Sequence, residues 1–436
     1  MVTLIDLLST TYAPVQAMML PYLGIAEVVA LTRTCKGFGQ LLPVLKATAW
    51  NIDYQLKKFF GKPKEFRSVL GRCEGLIAGA FARRFFSRFD ITCDSIDMHV
   101  NHRDELVRYL KDDGYQSIDQ SLNSFSKTGA KGEDLLVTFE WSVHSVVGRA
   151  FHNAKTTADL NFISWNKAYA LSPYSTFVER ESFLLTCLVD ETGDHLKMLS
   201  DEGLKTKTVS WDQRRFQHRR LHDIHMGFDI TTRRRRIGDR FSWVLGLDVE
   251  GVRSPCTPDA VIETTTFRSY APWKYTQPWQ VANYELDFDE NIRHPILKHQ
   301  YITLGEDTLD EDGSVQFDEF GDRERTSHYA RRCEELKDRL DELTLLELTK
   351  IPTAGRPPQF ATLSASTSEL KEAHTTRGGF KLPATWTFYD DEVIAFLEMA
   401  WSEQQLIDEH EKHKLRTRFL DNTSGSDQAL RDFCGR

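Results

Sequence analysis

The 436-residue chain has no paired-cysteine motif. Its seven cysteines (35, 73, 93, 187, 256, 333 and 434) form no Cys-x-x-Cys unit and no zinc spacing. That excludes a zinc ribbon and points to reduced thiols in a cytoplasmic or nuclear protein, not to a disulfide framework. A long apolar run is lacking too. The stretch from Met18 to Leu31 is interrupted by Pro21 and Glu27 and is too short to cross a bilayer, so no membrane is expected as a partner. No basic leader runs into an apolar segment with a cleavage site. The net charge is -9, so any surface for nucleic acid must be local. No nucleophile elbow, Walker loop, His-Glu-x-x-His helix, dinucleotide fingerprint or internal repeat occurs.

Aromatic residues are plentiful, with 27 Phe, 9 Trp and 13 Tyr, and 40% of the chain is hydrophobic. That is enough for two or three compact units. Residues 1–60 read as short helices punctuated by Pro14 and Pro21, because Leu4, Leu7 and Leu8, then Val15, Met18, Leu23, Val28 and Leu31, recur at helical spacing. The stretch "APVQAMMLPYLGIAEVVALTRTCKGFGQLL" resembles an F-box over roughly 40 residues. The resemblance implies docking on a Skp1-type adaptor of a ubiquitin ligase through Pro14, Pro21, Leu23, Leu31 and Phe38. The competing reading of the same apolar stripes is a helical cap packed on the domain that follows.

From 65 to 285 the pattern is mixed. "SIDMHV" (95–100), "DLLVTFEWSV" (134–143), "LNFISW" (160–165) and "FSWVLGLDV" (241–249) read as strands, and "HRDELVRYLKDDGY" (102–115) as an amphipathic helix. Lone helices between antiparallel-looking strands predict an α+β fold with a mixed sheet. Residues 286–324 read as acidic loop. Residues 325–420 read as C-terminal helices around a linker at 351–380, and 421–436 as a tail. In the first of these helices Tyr329, Cys333, Leu336, Leu340, Leu343 and Leu346 fall on one side.

Within "AGAFARRFFSRFDITCDSIDM" (78–98), a small-residue turn leads into a helix and then into a strand that carries carboxylates. Strand alternation sends Ile96, Met98 and Val100 to the core and Ser95, Asp97 and His99 to the opposite face. Asp94 then falls with the core set or in the turn and does not join Asp97. The arrangement resembles the nucleotidyltransferase fold, in which Gly-Ser at a helix N-terminus holds phosphate, Asp-x-Asp lies on the next strand and a third carboxylate on a later one. It resembles more closely a group of fungal proteins with an F-box-like head before such a domain. That likeness spans most of residues 14 to 265 and includes "LIAGAFARRFF", "VRYLKDDGY", "LNFISWNKAYALSPYSTFV", "TTRRRRIGDRFSWVLGLDV" and "PCTPDAVIE".

Carried over residue by residue, the resemblance implies phosphate contacts at Gly79, Ala80 and Ser95. Asp97 would be a catalytic and metal-binding carboxylate. Asp159 is preferred over Glu140 for the third carboxylate, with the choice open. Ala80 replaces the family's serine and Ser95 its first aspartate, so the implied site is degenerate: no cofactor is expected, and Mg²⁺ or Mn²⁺ only if the site is active. Asn166 and Lys167 are further candidates for facing the cleft.

Eight arginines with His218, His222 and His225 crowd into 214–236. Guanidinium forks suit phosphate, so Arg233, Arg234, Arg235 and Arg236 are candidate contacts for a nucleotide or nucleic acid. "TLDEDGSVQFDE" (308–319) imitates a calcium loop but has Thr308 in its first place, so an acidic turn is the better reading. The residues point first to a non-catalytic interaction protein with an adaptor-docking head. A metal-dependent nucleotidyltransferase acting on RNA, protein or a small molecule is the alternative, and a nucleic-acid-binding module is the third reading.

Overall fold

The computed structural model describes residues 4–8, 12–34, 36–88, 93–141, 145–208, 234–270, 283–304, 328–356 and 384–410. They form a mixed α+β structure in two compact units, Met1–Trp211 with Phe228–Asp287, and Asp212–Gly227 with Phe288–Arg436.

The first unit begins with helices α1 (Leu4–Leu7), α2 (Ala13–Met19), α3 (Ile25–Thr34), α4 (Leu41–Ala47) and α5 (Ile52–Leu56). Proline opens α2 from its first turn, where a missing N–H costs nothing. Asn51 caps α5 by accepting from the Tyr54 amide. This head is not a separate body. Leu20, Ile25, Val28, Phe38, Leu41, Leu45 and Trp50 belong to the same buried cluster as Ile77, Ile96, Met98 and Val137 of the sheet. Packing is therefore continuous across the boundary expected at residue 60. Trp50 meets Trp243 at 5.1 Å between ring centroids, and Phe86 lies 5.2 Å from Trp243.

Behind α6 (Pro63–Arg72) stands an eight-stranded mixed sheet. Its strands are β1 (Leu76–Ala78), β2 (Ser95–Val100), β3 (Gln116–Ser117), β4 (Ser124–Thr128), β5 (Asp134–Trp141), β6 (Asn161–Ile163), β7 (Lys167–Ala170) and β11 (Trp243–Gly246), in the order β11-β7-β6-β1-β2-β5-β4-β3. Within this sheet, among the described residues, only β2 and β5 pair in parallel. Helix α7 (Gly79–Ser87) follows β1 directly and buries Phe81, Ala82, Phe85 and Phe86. Helix α8 (Arg103–Asp112) buries Leu106 and Leu110, and α9 (Val146–Asn153) packs on β1 and β2. Phe60 stacks on Phe66 at 3.7 Å, and Phe59 meets Phe81 edge-on at 5.8 Å. The unit also holds β8 (Glu181–Phe183) paired with β9 (Lys205–Lys207), α10 (Asp190–Asp201), and a small sheet of β10 (Arg234–Arg236), β12 (Thr266–Tyr270) and β13 (Glu285–Asp287).

In the second unit, β14 (Asp289–Ile292) and β15 (Tyr301–Thr303) form a hairpin. They lie in the stretch expected as acidic loop; strands this short leave little alternation to read. Helix α11 (His328–Thr349) buries Tyr329, Cys333, Leu336, Leu340 and Leu343 as expected, but Leu346 is exposed. The inward stripe continues instead at Glu347, whose carboxylate accepts from the Tyr389 hydroxyl at 2.8 Å. A last helix, α12, spans 390–410. Its first residue, Asp390, accepts from the Lys298 and His299 amides at 2.9 and 3.1 Å and from the Tyr301 hydroxyl at 3.0 Å.

Candidate functional site

Asp97 is the exposed residue of an otherwise largely buried strand. Its neighbours Ile96 and Met98 enter the core, so the period of two turns its carboxylate to the other face. In register it stands between Ala78 of β1 and Thr138 of β5. The Thr138 hydroxyl donates to its Oδ1. On the β1 side the chain turns into α7 at Gly79, with φ at +67°. A β-carbon there would lie 3.0 Å from Asp97 Oδ2. The two elements that the motif requires are therefore adjacent: a helix N-terminus with its free amides, and a carboxylate on the next strand. Ala80, in the first turn of α7, and Ser95, two residues before Asp97, are both half-buried.

The remaining carboxylates do not join Asp97. Asp94 is exposed and pairs with Lys58, whose ammonium also donates to the Cys93 carbonyl at 3.0 Å. Asp159 lies before β6, and in the strand order β6 and β2 flank β1 on opposite sides. Its oxygens are already engaged. Oδ2 accepts from the Thr156 amide and hydroxyl at 2.9 and 3.0 Å and sits 2.9 Å from His195 Nε2; Oδ1 accepts from Arg83 at 3.2 Å. Burial works against its charge, but His195, Arg83 and Thr156 outweigh it and hold the carboxyl below the usual range. Asp159 closes the 3₁₀ turn Thr157–Asp159 as a capping box, so its oxygens are taken up by partners within the chain.

Thr138 is the residue that sequence reasoning missed. It occupies the place on the neighbouring strand that pairs with Asp97, where a carboxylate from a later strand could meet it. Leu135, Val137 and Phe139 alternate inward along β5, which marks Thr138 and Glu140 as outward; the register that sets Thr138 against Asp97 is a tertiary fact. Glu140 lies opposite His99, and its Oε2 accepts from Asn153 Nδ2 at 2.7 Å. His99 shares the face of Asp97 as expected, but it is buried, with Nδ1 4.0 Å from Glu140 Oε2. Burial lowers its pKa, and the carboxylates of Glu140 and Asp97 pull the other way.

Divalent-metal chemistry needs convergent anionic oxygens at fixed distances. The oxygen that meets the Asp97 carboxylate is the neutral hydroxyl of Thr138, and Ser95 stands where the family has an aspartate, so these residues do not fit a two-metal set. Among the described residues no group of three or more His, Cys, Asp and Glu side chains could hold a metal ion.

The arginine-rich stretch divides. Arg233, the rest of 214–232 and the loop 308–319 lie outside the described residues. Arg234, Arg235 and Arg236 form β10. Arg235 is 2% exposed; it donates to Asp239 at 2.6 and 3.0 Å and to the Leu171 carbonyl at 2.9 Å, between the rings of Phe241 and Phe267. Arg236 donates to the Glu263 carbonyl at 2.5 Å. Arg235 is thus enclosed within the small sheet, whereas Arg234 and Arg236 on either side of it are half-buried. Asn166 donates to Asp259 at 2.7 Å, and Lys167 pairs with Glu263 and Asp259 at 2.6 and 2.9 Å, so neither faces Asp97.

In the head, Phe38 is buried in the core, and Leu23 and Leu31 pack against it half-buried. Pro21 sits in the turn Leu20–Tyr22, and Pro14 is exposed. The outward apolar residues are others: Tyr12, Val15, Leu42 and, above all, Met18 at 74% and Tyr22 at 89% exposure. No protein-family model, curated protein or solved structure matches the chain. Function therefore rests on this geometry alone.

Proposed function

We propose that the chain is a non-catalytic interaction protein: a degenerate nucleotidyltransferase-like sheet domain whose F-box-like head docks a Skp1-type adaptor. The observation that carries the reading is the isolation of Asp97. It has the Thr138 hydroxyl beside it where a carboxylate is needed, and the two other candidates have partners elsewhere, Asp159 in Arg83 and Thr156 and Glu140 in Asn153. The head supports the docking half. Leu23, Leu31 and Phe38 face the sheet body, which leaves Pro14, Val15, Met18 and Tyr22 as an outward apolar ridge.

Two measurements test it. Incubation with each labelled nucleoside triphosphate and Mg²⁺ or Mn²⁺ should give no transfer; transfer abolished by Asp97→Ala would overturn the non-catalytic reading. Co-purification with a Skp1-type adaptor should be lost in Met18→Asp with Tyr22→Asp. Absence of adaptor binding in the unaltered chain would reject the docking half. The enzymatic alternative draws support from one feature, the adjacency of Gly79 and an exposed Asp97, and the same transfer assay decides it.

A further inference from the structure

We draw no further inference here: the strongest candidate, the side-chain cluster of His99, Glu140, Arg149 and Asn153 where α9 crosses the sheet face that carries Asp97, belongs to the site already described.

Discussion

Gly79 and Asp97 face each other across the β1–β2 pairing so closely that a β-carbon on Gly79 would stand 3.0 Å from Asp97 Oδ2. Gly79 also holds φ at +67°, which costs an L-residue about 1–2 kcal/mol. Gly79→Ala should therefore lower stability by about 1–3 kcal/mol, read as a reduced urea midpoint. Adding Asp97→Ala should recover only the contact part, because the backbone strain remains. Full recovery in the double variant would mean that the close approach alone matters; no loss in Gly79→Ala would mean that the turn does not need glycine.

How far the sequence could be read shows in these same residues. Alternation in 95–100 separates Asp97 from Ile96 and Met98, because a strand has only two faces. It does not say what covers a face, so His99 reads as open although α9 packs on its strand. Nor does it give register, and so the pairing of Asp97 with Thr138 was hidden. Helical spacing marks Leu23, Leu31 and Phe38 as apolar, but a partner protein and the chain's own sheet are equally good apolar neighbours. The arginines mislead for a related reason. Composition cannot distinguish a guanidinium aimed at solvent from one whose fork is filled by Asp239 and the Leu171 carbonyl.

Arg83 is 1% exposed between Asp159 and Glu202, with Nε 2.8 Å from Glu202 Oε2. Arg83→Met should cost up to about 3–5 kcal/mol, because it removes the enclosed cation that two carboxylates share and leaves Glu202 with Arg84 alone and Asp159 with His195 and Thr156. The loss should depend on pH. Burial opposes the charge of Glu202, but Arg83 and Arg84 hold its carboxyl below the ordinary range, and Asp159 is shifted the same way. A depressed folded pKa means fewer bound protons folded than unfolded. The stabilisation is thus complete above the unfolded carboxylate range of about 4 to 4.5 and is lost as pH falls through the lowered folded values. Denaturation at pH 7 and pH 3 should show a smaller gap between the two proteins in acid; an equal gap would place the stabilisation elsewhere.

Arg235→Gln separates a structural arginine from a phosphate contact. The variant removes the partner of Asp239, whose side chain is 4% exposed, and the cation held between Phe241 and Phe267. A loss of about 3–5 kcal/mol is expected, with Arg235→Lys recovering little because an ammonium cannot reproduce the fork. Salt-dependent binding of single-stranded RNA, measured where both proteins are folded, should be unchanged. Full stability together with weakened binding would reverse the assignment.

Arg88 ends α7 in the left-handed region, φ 59°, and reaches back to the head. Its two terminal nitrogens donate to the carbonyls of Leu23 and Leu20 at 3.0 and 2.7 Å, beside the Trp50 ring. Leu20 caps the C-terminus of α2 and Leu23 that of the Leu20–Tyr22 turn, places where a cation is favourable. Among the described residues no carboxylate pairs with this half-buried guanidinium, and burial lowers its pKa. Charged hydrogen bonds contribute about 1.5–3 kcal/mol each. The burial of Leu20, Ile25, Val28 and Phe38 adds roughly the same amount per side chain. Apolar packing therefore outweighs the arginine, and Arg88→Ala should loosen the head without detaching it. Amide exchange should quicken by about a hundredfold or more through residues 20–34, a factor of ten being about 1.4 kcal/mol, while β1, β2 and β5 keep their rates. Arg88→Gly should quicken the same segment but lose less global stability than Ala, since glycine accepts the left-handed backbone. Equal acceleration in head and sheet would instead mean that the two open as one cooperative body, and the outward apolar residues of the head could then not be released apart from the sheet.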